Sequence, residues 1–256
     1  MSKLQQVFSK GKAFIPFITA GDPSLEVTER LMFKMAEAGA DLIELGVPFS
    51  DPIAEGPVIQ AASERALAAG VTTDKILAMV GRMRKSCQVP VALMTYVNPI
   101  FTYGTERFLK KCQAVGIAAV IVPDVPFEER EELLPFCPTY GVDLISMIAP
   151  TSNRRIRMIA SEAQGFIYCV SSLGVTGVRH KIGSIVEQMI KQVKEVKEIP
   201  CAIGFGVSQP EQAKELARFA DGVIVGSAIV KIIGQYGAGC VPHVVEYVRS
   251  MKNSIN

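Results

Sequence analysis

Eight short runs of β-branched and apolar residues alternate along the chain with longer stretches of helical periodicity, a pattern that few folds accommodate. The runs are Phe14–Ala20, Asp41–Gly46, Pro90–Tyr96, Ala118–Pro123, Asp143–Ala149, Phe166–Ser171, Cys201–Phe205 and Gly222–Val225. Several are apolar almost throughout, as expected of parallel strands covered on both faces. The amphipathic segments between them include Leu25–Ala38, Thr73–Cys87, Arg107–Val115, Ile185–Val196 and Pro210–Phe219. Gly39, Gly116 and Gly141 follow helical stretches and permit the left-handed turn that sends the chain into its next strand. Eight βα units within 256 residues match the size of a closed (β/α)8 barrel. An open doubly wound sheet is the alternative, but no GxGxxG follows the first strand. The sequence therefore predicts an α/β chain with a single TIM-barrel domain over residues 1–256: a short N-terminal helix, then eight βα units.

Composition narrows the function. With 49% hydrophobic and 20% charged residues the chain can bury a large core, and its net charge of +2 comes from 27 basic and 25 acidic residues without a run of one sign. Neither nucleic acid nor a membrane surface is an expected partner; small molecules and proteins are. The cysteines Cys87, Cys112, Cys137, Cys169, Cys201 and Cys240 are widely spaced, with no CxxC pair or Cys/His cluster, so reduced thiols and no metal are expected. No apolar run reaches the length of a membrane span, and the amino terminus lacks a leader pattern, so a cytoplasmic protein is expected.

In a barrel of this kind the loops after the strands carry chemistry. The loop from Val47 to Pro57 is longer than most and holds three prolines, two acids and a serine. Glu44 precedes it in Leu-Ile-Glu-Leu-Gly, an acid within an otherwise apolar strand. Such a carboxylate is a strand-end partner in a salt bridge, or a buried group that is paired, protonated or used. Glu55 closes the same loop, and a folded loop brings both carboxyls to one pocket where they divide acid and base roles. His180, in a polar stretch, and His243, near the last helix, read as solvated. Gly204-Phe205-Gly206 closes the seventh run, and Gly226-Ser227 closes the eighth and opens a helix. Loops after strands seven and eight with a helix N-terminus form a recurrent phosphate cradle, because backbone N–H groups and the helix dipole face the anion. Gly177, in a glycine-bearing loop after the sixth run, adds a further N–H. Phe17, Met94, Tyr96, Tyr168 and Phe205 read singly as core; beside a phosphate site they form walls for a flat aromatic substrate.

Five blocks in order resemble the signatures of tryptophan synthase α subunits: Pro16 to Pro23, Glu44 to Gln60, Gly174 to Gly177, Gly204 to Gly206 and Gly226 to Val230. The resemblance runs from about Phe14 to Ile233, and the block from Glu44 to Gln60 is its most specific part. It implies retro-aldol cleavage of indole-3-glycerol phosphate to indole and glyceraldehyde 3-phosphate, without a metal or organic cofactor in this subunit. By the same resemblance Glu44 moves protons at indole C3 and the glycerol hydroxyl, and Glu55 stabilises charge at the indole nitrogen. Tyr168 lies beside the glycerol chain, and Thr176 sits on a mobile loop that closes over the site. Gly177, Gly206, Gly226 and Ser227 hold the phosphate, and Phe17, Tyr96 and Phe205 wall the indole. The implied partner is a pyridoxal-phosphate β subunit in an α2β2 heterotetramer, into which indole passes by a tunnel. Pro48, Asp51, Pro52, Asn98 and Pro126 match segments that face it. Two departures stand out: Glu55 replaces the family's aspartate, adding one methylene, and Pro123 stands where some members carry a small residue. The first leaves open a catalytically weak α subunit that binds its phosphate ligand and activates the β subunit allosterically. Another phosphate-binding barrel enzyme shares the glycine cradle but leaves the Pro-rich loop and the Glu44/Glu55 pair unexplained.

Overall fold

A computed structural model describes residues 4–150, 153–170, 179–204 and 206–256, with backbone alone for 179–184. Nine parallel strand segments, β1 (Ala13–Thr19), β2 (Ile43–Gly46), β3 (Val91–Met94), β4 (Ala119–Ile121), β5 (Asp143–Leu144), β6 (Ser146–Ile148), β7 (Ile167–Val170), β8 (Cys201–Gly204) and β9 (Gly222–Val225), lie in the order β5-β4-β3-β2-β1-β9-β8-β7-β6. The two ends of that series are consecutive in sequence. The Ile145 N–H still donates to Val120 O at 2.9 Å, and the next three residues pair with β7, so one path joins β4 to β7 and closes the barrel. The predicted fifth strand is therefore present but changes neighbours midway, and the ladder breaks at Ile145. Most other ladders are shorter than the predicted runs, because the ends of a tilted barrel strand are taken up by loops rather than by two neighbours.

Strand alternation sorts the core. Ile15, Phe17, Leu42, Ala92, Met94, Ile145, Tyr168 and Ala202 fill the barrel with Leu4 and Val7, while Phe14, Ile18, Ile43, Leu45, Leu93 and Val223 pack outward against helices. The N-terminal helix is a 3-10 turn, Gln5–Lys10, whose Phe8 ring meets Phe166 at 5.5 Å and closes the amino-terminal end. The C-terminal helix Val241–Ile255 is latched at that end by Lys252, whose Nζ donates to Lys12 O and Asp41 Oδ2, both at 2.8 Å.

Helices follow the predicted segments with moved ends: Leu25–Glu37, Thr73–Met83, Thr105–Val115, Arg179–Lys194 and Pro210–Leu216. His180 thus belongs to the first turn of a helix, not to a loop, and His243 is stacked on Tyr236 at 3.7 Å. Among the described residues the cysteines are free, no acid, histidine or thiol cluster fits a metal, and no helix is long and apolar enough to cross a membrane.

Helix Pro57–Ala68 starts with proline after Gly56, where the fixed φ suits a first helical turn. Its Arg65 makes a two-pronged bridge to Asp22, Nε to Oδ1 and Nη2 to Oδ2, both at 2.8 Å, and Asp22 is 1% exposed. Removing the cation leaves that carboxylate buried and unpaired. Arg65→Met is expected to cost about 3 kcal/mol, the low end for a broken buried pair because the arginine is half-exposed. The urea midpoint at unchanged slope checks it.

Candidate active site

Glu44 and Glu55 meet at the carboxyl end of the barrel. Glu44 is on β2 in register with Phe17 on β1 and Ala92 on β3, pointing inward, and is 1% exposed. Glu55 ends the loop 47–56, and both acids line a cavity of about 590 Å³ with Phe17, Tyr168, Gly226 and Ser227. One carboxyl oxygen of each acid, Oε2, is buried without a hydrogen-bond partner. The Glu44 carboxyl is pushed up to about 8, by burial first and then by the charge of Glu55. Burial pushes Glu55 up to about 7. Both carboxyls are thus raised to near neutral pH, where one can hold a proton while the other is ionised on the same cavity wall. The Tyr168 hydroxyl is held protonated, raised by burial and then by Glu44.

Two aromatic walls lie across glycines. A Cβ on Gly46 or Gly226 would stand 2.6 or 3.3 Å from the Phe17 ring, and one on Gly204 would stand 2.4 Å from the Tyr168 hydroxyl. The missing side chains thus leave the room in which Phe17 and Tyr168 border the cavity.

Groups that can hold an anion line the same cavity. Gly206, at φ +75°, follows β8, and Gly226 caps helix Ser227–Tyr236 directly after β9. The amides of Ile229 and Val230 donate to Gly226 O at 2.9 and 3.1 Å, which leaves those of Ser227 and Ala228 at the start of that ten-residue helix without an intrahelical acceptor, and the helix dipole adds positive potential at the same place. Lys231, four residues beyond Ser227 on the same helix, also lines the cavity. The sequence reading missed Lys231, although its spacing from Ser227 was a signal. It also missed Gln60, Ser208 and Tyr247; the last two meet where the Tyr247 hydroxyl donates to Ser208 O at 2.9 Å.

Other expected residues fall elsewhere. Thr176, Gly177 and Phe205 lie outside the described residues. Tyr96 does not border the cavity: it is 2% exposed, tilted against Phe49 at 5.1 Å, and its hydroxyl accepts from Ala54 N–H at 3.1 Å. Its hydroxyl thus supports the acid-bearing loop from a position two residues past the end of β3 at Met94. Of the residues expected to face a partner, Asp51, Asn98 and Pro126 are exposed and Pro52 is half-buried, whereas Pro48 is buried within this chain. Ile53, on the same loop, is 80% exposed.

A family model described as tryptophan synthase alpha chain matches residues 3–256. The tryptophan synthase alpha chain of Halalkalibacterium halodurans is 52% identical over 237 residues, 92% of this chain and 89% of that one. That of Lacticaseibacillus casei is 48% identical over 235 residues, 92% and 88% of the two. The crystal structure of tryptophan synthase subunit alpha from Legionella pneumophila superposes with a TM-score of 0.90 at 38% identity, covering 100% of this chain and 98% of that one. A chain of the tryptophan synthase complex from Pyrococcus furiosus gives 0.85 at 32% identity, covering 95% and 98%.

Proposed function

The chain belongs to the tryptophan synthase alpha chain family, and from that premise we propose that it cleaves indole-3-glycerol phosphate to indole and glyceraldehyde 3-phosphate. The observation that carries this reading is a pair of carboxyls, each with a buried, unpartnered oxygen, in one cavity that is also lined by Gly206, Gly226 and Ser227. The cradle amides of Gly206, Gly226 and Ser227 hold the phosphate, and Phe17 lies along the indole. Glu44 delivers its proton to indole C3, which turns the ring into an iminium. Glu55, ionised, faces the ring N–H and stabilises that cation. The glycerol hydroxyl next to the ring then returns a proton to Glu44 as its C–O becomes a carbonyl. The electrons of the breaking carbon–carbon bond restore the indole. Tyr168 orients the glycerol chain. Every proton removed is returned, so the step calls for no metal, redox group or organic cofactor in this subunit.

The partner in this reading is a β subunit carrying pyridoxal phosphate, in an α2β2 assembly, met through Asp51, Pro52, Asn98 and Pro126. Ile53 extends the same loop outward as an apolar side chain whose burial at an interface is favourable. A cytoplasmic location fits this role. Indole release by the purified chain, measured with and without a cognate β subunit, is the test: slow basal release with strong stimulation is expected. No release with the β subunit bound would sink the lyase. If Glu55→Asp instead raises turnover sharply, the native chain is the weaker, chiefly regulatory subunit.

A further inference from the structure

Past Val47, whose N–H still donates to Met94 O, residues 48–56 contain neither helix nor strand, so their backbone has no ladder to fix it. Two side chains grip it on either side of Glu55. The Tyr96 hydroxyl accepts from Ala54 N–H at 3.1 Å, and Gln60 Nε2 donates to Glu55 O at 2.8 Å. Both grips come from rigid ground. Tyr96 is buried just past β3, and the next N–H, that of Val97, donates to the Asp124 carboxylate at 3.1 and 3.2 Å. Gln60 sits in the first turn of helix Pro57–Ala68, where its own N–H donates to Gly56 O at 3.1 Å.

What these grips hold does not favour its place. The Glu55 carboxyl is half-buried, its Oε2 is out of water without a partner, and burial pushes its proton affinity up. A loop free to move would return that carboxyl to solvent, since an unsatisfied buried acid is costly. We infer that Gln60 and the Tyr96 hydroxyl are positioning residues that pin the backbone around Glu55 and keep its carboxyl on the cavity wall beside Glu44. The inference deepens the lyase reading and rests on it for its catalytic consequence.

Gln60→Leu removes one grip at similar volume, and Tyr96→Phe removes the other while keeping the ring. Each variant is assayed with the β subunit saturating, and backbone amide exchange is followed in the same protein. Turnover is expected to fall by about a hundredfold, the loss that goes with a catalytic group misplaced by about 1 Å. KM should change little, because the phosphate cradle stands on β8, β9 and the helix after β9. Exchange at Ala54 should rise about fivefold or more in Tyr96→Phe, with the barrel strands unaffected. The acidic limb of the pH profile should move to lower pH as Glu55 regains water, and exchange confined to the loop separates this from general loosening of the fold. Wild-type turnover and an unmoved limb in Gln60→Leu would overturn the inference, as would exchange that rises throughout the barrel. If the wild type itself shows no cleavage, the lyase reading fails. The grips are then judged by exchange alone, and unchanged protection at Ala54 in Tyr96→Phe overturns them.

Discussion

A chain carrying Glu44→Gln is expected to lose about a thousandfold in turnover, within the range for a lost general acid–base group, and at the same time to melt higher than the wild type at alkaline pH. Both effects come from one placement. Glu44 is 1% exposed on the inner face of β2, where an apolar side chain would serve the core. The amide is nearly isosteric, so the barrel wall keeps its shape, but it has no proton to deliver to carbon. KM should change less than turnover, since the cradle after β8 and β9 is untouched.

The stability half has a definite sign. In the folded chain Glu44 holds its proton until about pH 8, against 4.5 for the ordinary carboxyl. Below 4.5 folded and unfolded states are both protonated, and Glu44 adds no pH dependence. Between 4.5 and about 8 the folded state keeps a proton that the unfolded state has released, so folding stability drains away as pH rises. Glutamine removes that drain. The gain of the variant should be largest above pH 8, on the order of a few kcal/mol, and disappear toward pH 4. Urea unfolding at several pH values measures it; equal slopes of stability against pH in the two proteins would sink the assignment of the buried proton to Glu44. An acid retained at such a cost to the fold is what a functional group in a core position looks like.

The barrel was legible because its signal is repeated: apolar runs such as Phe14–Ala20 and Gly222–Val225 each need a neighbour, and eight of them leave few arrangements. The break at Ile145 was not legible, since a strand that changes partners at closure has the same apolar pattern as one that does not. Glu44 announced itself as an acid in an apolar strand, and Glu55 by its place in a long loop. The support that Tyr96 gives the loop was hidden for a physical reason. An aromatic residue one step past a strand reads equally as wall or as prop, and only the Ala54 N–H at its hydroxyl decides. Gln60 carried no signal of its own, because a helix-start glutamine is ordinary until its amide is found on the Glu55 carbonyl. Pro48 matched a partner-facing segment, yet its burial follows from its position one residue past the strand-end Val47, whose N–H still donates to Met94 O at 2.8 Å.

Turnover against pH should be bell-shaped with its maximum between about 7 and about 8, the values at which Glu55 and Glu44 titrate. The active form carries a proton on Glu44 and none on Glu55. On the acid side the rate follows ionisation of Glu55 and should fall about tenfold per pH unit, so that pH 5 retains about one hundredth of the maximum. On the alkaline side it follows loss of the Glu44 proton and falls with the same slope. The two limbs are coupled, because part of what holds the Glu44 proton is the charge of Glu55. Glu55→Gln removes that charge, and with it the like-charge repulsion, so Glu44 should release its proton more readily. In that variant the acidic limb should vanish and the alkaline limb should move to lower pH, while the height of the profile drops with the loss of the anion that stabilises the ring cation. Glu55→Asp keeps the charge and should keep both limbs. An alkaline limb that stays in place in Glu55→Gln would mean that the two carboxyls do not sense one another, and that the proton lost near pH 8 belongs to another group.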